Sequence, residues 1–123
     1  MSDNLRKLQN RQEEFIDERG WDQFHMPKSL AMAISVESNE LVELFQWHDN
    51  LPAEAYAEDS KIRDDVEDEL ADIVIYSLSM ASAFDLDLSE VVETKLEKNE
   101  ERFDLGESEE IREELSEWKR EED

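Results

Sequence analysis

The 123-residue chain contains no cysteine, two glycines, two prolines, and 13 Lys and Arg against 36 Asp and Glu. Without cysteine there is neither a disulfide framework nor a thiolate metal site. So few glycines and prolines argue against a turn-rich all-β fold and for long helices. No apolar run is long enough to span a membrane, and the opening "MSDNLRKLQNRQEEF" does not have the shape of a signal peptide. A cytoplasmic protein is therefore the expectation. The shortage of cations leaves a net charge of −23. Such a surface repels nucleic-acid backbones and anionic membranes, so neither a nucleic-acid polymer nor a membrane is an expected partner.

The excess of acids itself has a simple reading. Acidic surfaces keep proteins hydrated in concentrated salt, which points to a halophilic source. Disorder is the competing explanation; regular apolar periodicity and ten aromatic residues stand against it. With so many acids, any statement about a particular Glu needs a local reason. The length suits one domain with a modest core, and a helical chain of this size gains by self-association.

The pattern predicts five helices. The first covers about residues 3–19, with Leu5, Leu8, Gln12, Phe15 and Ile16 on one face and Gly20 as its stop. After the loop "WDQFHMPK", in which Trp21 and Phe24 are expected to pack, Pro27 opens a second helix from about Ser29 to Asp49. A polar connection, "NLPAEAYAEDS", leads to a third helix from Ser60 to Phe84, broken by "DLDLS". The fourth spans Ser89 to Phe103 with Leu88, Val92, Leu96 and Phe103 inward, and Gly106 closes that unit. Ile111, Leu115 and Trp118 then form a narrow apolar stripe on a short, very acidic C-terminal helix. The expected division is a helical body over residues 1–106 and an acidic tail over 107–123.

Four acids fall where apolar residues belong. Glu40 shares its helical faces with Ala33, Val36, Leu44 and Trp47, and Glu37 with Leu30, Ile34, Leu41 and Leu44. On the third helix Glu69 stacks with Ile62, Val66, Ile73 and Tyr76, and Asp72 follows beside Ile75 and Tyr76. Glu43, with Asn39, Gln46 and Asn50 around it, reads as rim. Ionised carboxylates in apolar surroundings are costly, and several together repel. Either they hold protons or a cation sits among them. Hard oxygen donors without His or Cys suit Mg²⁺, or Mn²⁺, over zinc. Spacing alone is worthless in so acidic a chain, since "SEEIREELSEW" offers similar pairs. Placement on two apolar stripes is what raises these four above the rest. Diiron chemistry uses Glu-x-x-His pairs, and neither His25 nor His48 lies three residues after a candidate Glu.

Lys95, Asn99 and Arg102 share one face of the fourth helix, and no acid three or four residues away pairs with either cation. They read as phosphate contacts or as surface cations answering acids elsewhere. Trp47 reads as core or as an indole that stacks on a base. His25 reads as a donor to a base edge or as a helix cap. His48 is expected to face solvent.

"ERGWDQFHMPKSLAMAISVESNELVELFQW" and "VEDELADIVIYSLSMASAFDLDLSEVVETKLEKNEERF" resemble the MazG-like all-α nucleotide pyrophosphohydrolases, and within them the dCTP pyrophosphatase group. The likeness covers roughly residues 5–103 and rests on ExxE, then ExxD before "IVIY", then K-x-x-x-N-x-x-R. It implies a four-helix-bundle-like fold assembled as a dimer or tetramer. It also implies magnesium-dependent conversion of a nucleoside triphosphate and water to the monophosphate and pyrophosphate, here expected to favour dCTP or modified dCTP. In cells this would clear or balance cytosine deoxynucleotides. The family's carboxylates fall on Glu37, Glu40, Glu69 and Asp72, its phosphate-side residues on Lys95, Asn99 and Arg102, and its base pocket on His25 and Trp47 with Tyr76 close by. Glu37 or Glu40 is the expected base toward the attacking water, the choice between them open. Two departures bear on the pocket: "RFD" at Arg102 to Asp104 where the family often has "RYP", and Ser38–Asn39 where a small pair including Gly is common. The alternatives are the same reaction on another base or a broad set, and a non-catalytic acidic helical interaction protein docking through Ile111, Leu115 and Trp118.

Overall fold

The computed structural model describes residues 2–122, with side-chain surroundings for residues 4–119. Among the described residues it is all-helical: α1 (Ser2–Glu18), α2 (Pro27–Glu43), α3 (Ser60–Ala83), α4 (Leu88–Arg102) and α5 (Leu105–Glu122), with short 3₁₀ turns at Asp22–Phe24 and Ala53–Tyr56. The chain forms two compact units that meet in sequence between Ser89 and Glu90. In the first unit α3 is central, and both α1 and α2 pack on it. Met1 and Asp123, the ends of the expected body and tail, lie outside the described residues.

Local chemistry explains most boundaries. Gly20 takes a left-handed conformation (φ 66°), and the N–H groups of Gly20 and Trp21 return to the carbonyls of Asp17 and Ile16, closing α1 with a Schellman motif. The same closure ends α3 at "DLDLS": Asp85 is left-handed (φ 54°), and Asp85 and Leu86 donate to Ser82 and Ala81. Pro27 sits in the first turn of α2, and the Asp59 carboxylate caps α3 by accepting from the Ile62 N–H at 3.0 Å.

Several sequence expectations change. α2 ends at Glu43, not Asp49; Leu44, Phe45 and His48 donate three residues back instead of four, so the chain leaves the α-helix in tighter turns. On α1 the inward line is Leu5, Gln9, Gln12 and Ile16, with Gln9 and Ile16 buried and the other two half-buried, while Leu8 and Phe15 are exposed. Trp21 meets Phe15 edge-on at 5.8 Å but stays partly exposed, and Phe24 is exposed rather than packed. Val92, Leu96 and Phe103 of α4 are also exposed, against the expectation that they face inward. Gly106 does not close the fourth helix. It lies in the first turn of α5, because Asp104 accepts the Glu107 N–H at 2.9 Å and starts the next helix ahead of the glycine.

Gln9 is the residue on which the first unit turns. It is 2 % exposed. Its amide N–H donates to the Leu86 carbonyl at 2.7 Å and to the Ser82 hydroxyl at 3.2 Å, while its carbonyl oxygen accepts the Leu88 N–H at 2.9 Å. One turn on, the Gln12 amide donates to the Ser79 hydroxyl at 3.1 Å. This polar seam between α1 and α3 satisfies the backbone where α3 gives way to α4. The apolar core beside it is small: Ile16, Leu30, Leu78 and Ala81 are the buried hydrophobic residues among those described.

Candidate metal centre

α2 packs against α3. Glu37 and Glu40 stand one turn apart on α2, and Glu69 stands opposite on α3. One carboxylate oxygen from each can be chosen so that all three lie within 4.8 Å of one another. The Oε2 atoms of Glu37 and Glu69 are buried and have no hydrogen-bond partner. Two buried carboxylate oxygens without a partner, on side chains that approach each other, form an arrangement that folding avoids unless something positive completes it. A proton is one solution. The surroundings favour it: the Glu69 pKa is raised from 4.5 to about 7, chiefly by the hydrogen bond that the protonated carboxyl can share with Glu37, then by burial and by repulsion from Glu40 and Glu37. A cation is the other solution. The donor set is carboxylate oxygen alone, with no His or Cys in the group. That fits a hard divalent ion such as Mg²⁺ or Mn²⁺.

Asp72 is placed differently. It follows Glu69 by one turn, is exposed, and is not among the three carboxylates gathered within 4.8 Å. Tyr76, one turn further along α3, is half-buried.

Trp47 lies beyond the end of α2, in the turns that follow it, and is 89 % exposed. It is therefore not core. His25 is half-buried before α2 and does not cap it: the N-cap is Met26, without a side-chain bond. Its Nδ1 lies 3.0 Å from the Trp21 carbonyl oxygen, which can only accept, so Nδ1 is the donor in this contact. His25 also lines a small cavity of about 170 Å³ with Ile16, Asp22, Ser79 and Ser82. A larger cavity of about 830 Å³ follows α2 and shares no residue with the carboxylate group. Phe45, Tyr56, Ile62 and Val66 help line it, and His48, exposed but edge-on to Tyr56 at 5.7 Å, is at its margin.

Lys95, Asn99 and Arg102 all lie on α4, in the second unit. Asn99 is half-buried, and the two cations are exposed. Among the described residues neither Lys95 nor Arg102 forms an ion pair; the Arg102 guanidinium sits 5.0 Å from the Phe103 ring centre. The sequence puts Gln12 on the inward face of α1 but does not single out Gln9, and the seam they form with α3 shows only in the fold. The signal was there in the 5, 9, 12, 16 spacing on α1, but a glutamine in a buried line is read as a gap in the stripe until its partners are seen.

A domain of facing helices with glutamates converging from an ExxE turn and its opposite helix is the architecture of a carboxylate metal centre in an all-α protein. The sequence model of the MazG-like family matches residues 32–118, which span these acids. The chain belongs to the MazG-like family. It is similar to dCTP pyrophosphatase 1 of Mus musculus, 38 % identical over 90 residues, a match covering 73 % of this chain and 53 % of that protein. It is similar as well to dCTP pyrophosphatase 1 of Homo sapiens, 36 % identical over the same extent. The chain thus spans about half the length of the curated relatives it matches. Among solved structures it is similar to a pyrophosphatase from Archaeoglobus fulgidus, with a TM-score of 0.70 and 37 % identity, covering 82 % of this chain and 93 % of that one.

Proposed function

We propose that this chain is a nucleotide pyrophosphohydrolase that needs a divalent ion, Mg²⁺ or Mn²⁺, and splits a nucleoside triphosphate with water into the monophosphate and pyrophosphate. The observation that carries this reading is the meeting of Glu37, Glu40 and Glu69 across two helices, with two buried oxygens left without a partner. Membership of the MazG-like family and likeness to dCTP pyrophosphatases supply the reaction class. dCTP or a modified dCTP is the substrate we infer, with cytosine-deoxynucleotide clearance in the cytoplasm as the role.

Glu37, Glu40 and Glu69, with Asp72 beside them, would hold the ion. When bound, it offsets the triphosphate's charge and acidifies a coordinated water. The chain's own work is then threefold. The carboxylates orient the ion, and Glu37 or Glu40 accepts a proton from the attacking water. Lys95, Asn99 and Arg102 offer donors of the kind that bind phosphate oxygens and steady a leaving pyrophosphate. His25, Trp47 and Tyr76 offer a ring nitrogen, an exposed indole and a phenol for recognition of a base. No cysteine is present, so a thiolate intermediate is excluded, and direct attack by water on the α-phosphorus suits the groups available.

Self-association belongs to the same proposal. Val36 and Val42 on α2 and Leu70 and Val74 on α3 are exposed. So much apolar surface on the helices that carry the carboxylates favours a dimer or tetramer. The acidic surface suits concentrated salt; a melting temperature that fails to rise with added KCl would contradict that. No helix among the described residues is long and apolar enough to cross a membrane.

The test is pyrophosphate release from a panel of ordinary and modified nucleoside triphosphates, with and without Mg²⁺, in concentrated salt. Release from dCTP or its modified forms that requires Mg²⁺ is expected. Glu40→Gln keeping the full rate would overturn the site.

A further inference from the structure

We propose that α5 is an interaction helix whose partner is α5 of a second copy of this chain, the two lying side by side in the same direction as a short parallel coiled coil. This contact is separate from the exposed faces of α2 and α3 and holds whatever the substrate is. Its seam is apolar. Ile111, Leu115 and Trp118 follow one another at intervals of four and three, the alternation of a coiled-coil seam, and Ser108 continues it one step earlier. The three apolar residues are 39 %, 59 % and 59 % exposed. Within the second unit α5 makes little contact with α4, so the stripe is left uncovered there. A helix that is polar except for one narrow stripe gains most of its stability from whatever covers that stripe.

Charge decides what the cover is and which way it runs. From Leu105 to Lys119 the helix has six acids and two cations. Among so many acids a Glu beside the seam carries no message; the two cations do. Arg112 and Lys119 stand seven residues apart on one flank, each directly after a seam residue, Ile111 and Trp118. Glu107 and Glu114 stand on the other flank, each directly before a seam position. Arg112 forms no ion pair among the described residues. A groove of about 530 Å³ runs along the cation flank, with Phe103, Ile111, Leu115, Arg112 and Lys119 in its lining. In a parallel pair each flanking acid faces the flank position five residues further along the other helix. Glu107 then meets the second copy's Arg112, and Glu114 its Lys119, both twice by symmetry. An antiparallel pair sets acid against acid and cation against cation. Two copies of a chain with net charge −23 repel each other, so they tolerate contact where acid meets base. Exposed ion pairs are individually weak. They therefore set direction and partner, while the apolar seam supplies the attraction.

A chain without cysteine makes the test direct. Ser108→Cys, Leu115→Cys and, on the outer face, Glu113→Cys are made singly in the full chain and oxidised mildly in about 0.15 M salt, where long-range repulsion is screened. Covalent dimer is read on a non-reducing gel, and circular dichroism establishes that each variant is folded. Ser108→Cys and Leu115→Cys are each expected to link to their own copy, because a parallel pair sets every seam position against itself; Glu113→Cys is not. Linkage only in a mixture of the Ser108→Cys and Leu115→Cys chains would mean antiparallel helices and would overturn the proposal. So would equal linkage by Glu113→Cys, or no linkage at either seam position. The charges are tested in both seam variants, so that neither alone decides. Adding Arg112→Glu with Lys119→Glu is expected to lower the yield about tenfold or more, and mixing that chain with one carrying Glu107→Lys and Glu114→Lys to restore it as a mixed dimer identified by mass. A yield indifferent to the charge reversal, or one that mixing fails to restore, would overturn the pairing.

Discussion

Two stretches of this chain carry glutamates at one-turn spacing, and they differ in nearly everything else. On α5, Glu107, Glu110 and Glu113 repeat the interval of Glu37 and Glu40, and so do Glu114 and Glu117. All of them are exposed. The α2 pair meets a third carboxylate from α3, and that group contains buried oxygens with no donor to satisfy them. The spacing is common to both; the facing helix is not. An acid on an open helix keeps its hydration and carries only charge, whereas an acid aimed at another acid across a helix interface needs a proton or an ion.

The sharpest way to break the comparison is to neutralise one acid in each region. Glu40→Gln is expected to lower turnover on the order of a hundredfold or more, as removal of a group fixed at a reaction centre does. Glu113→Gln on α5 is expected to leave it unchanged. Equal effects in a pyrophosphate-release assay would mean that the carboxylates act through bulk charge alone.

A smaller effect follows from the proton that Glu69 holds. Its pKa in the folded chain, about 7, lies above the ordinary 4.5. Between these values the unfolded chain has lost this proton while the folded chain retains it, so in metal-free protein its contribution makes stability fall as pH rises through the window. Above about 7 both forms are ionised and the penalty is complete. Glu69→Gln should therefore melt higher than wild type at pH above 7 in the presence of a chelator, with the difference vanishing toward pH 4.5. Added divalent ion should reverse the order. The ion displaces the proton, so its apparent affinity should rise about tenfold per pH unit below the Glu69 pKa and then level off. A calorimetric titration that shows no proton release at pH 6 would separate Glu69 from the ion.

The smallest effect is expected from the tail. Deleting residues 107–123 removes most of α5 with Ile111, Leu115 and Trp118 but none of the proposed ligands. Turnover should persist within a few-fold, and light scattering on the same sample should still report a dimer or tetramer if the exposed faces of α2 and α3 carry assembly. Loss of assembly with turnover intact would move the interface to α5. Loss of both would favour an interaction role for that stripe.

Much of this was legible from the residues. The positions of all five helices followed from apolar periodicity, from Gly20 and from "DLDLS", because capping and turn chemistry act over a few neighbouring residues. The ExxE and ExxD pairs stood out because they interrupt apolar faces. The failures share a cause. Leu44, Phe45 and Trp47 continue the apolar stripe of α2 and so predict a helix to Asp49, yet the chain tightens after Glu43 and leaves Trp47 in solvent. Gln9 carries no local signal of its partners, because they are more than seventy residues away.

By itself the sequence determined the helical class, the family, the absence of thiolate chemistry and the candidate acids, all of which depend on composition or on residues within two turns of each other. Only the tertiary structure decided which of those acids meet. It brought Glu69 to Glu37 and Glu40, left Asp72 outside, and buried two of the oxygens, because the rotation of one helix against another is set by packing across the interface and not by the spacing along either chain.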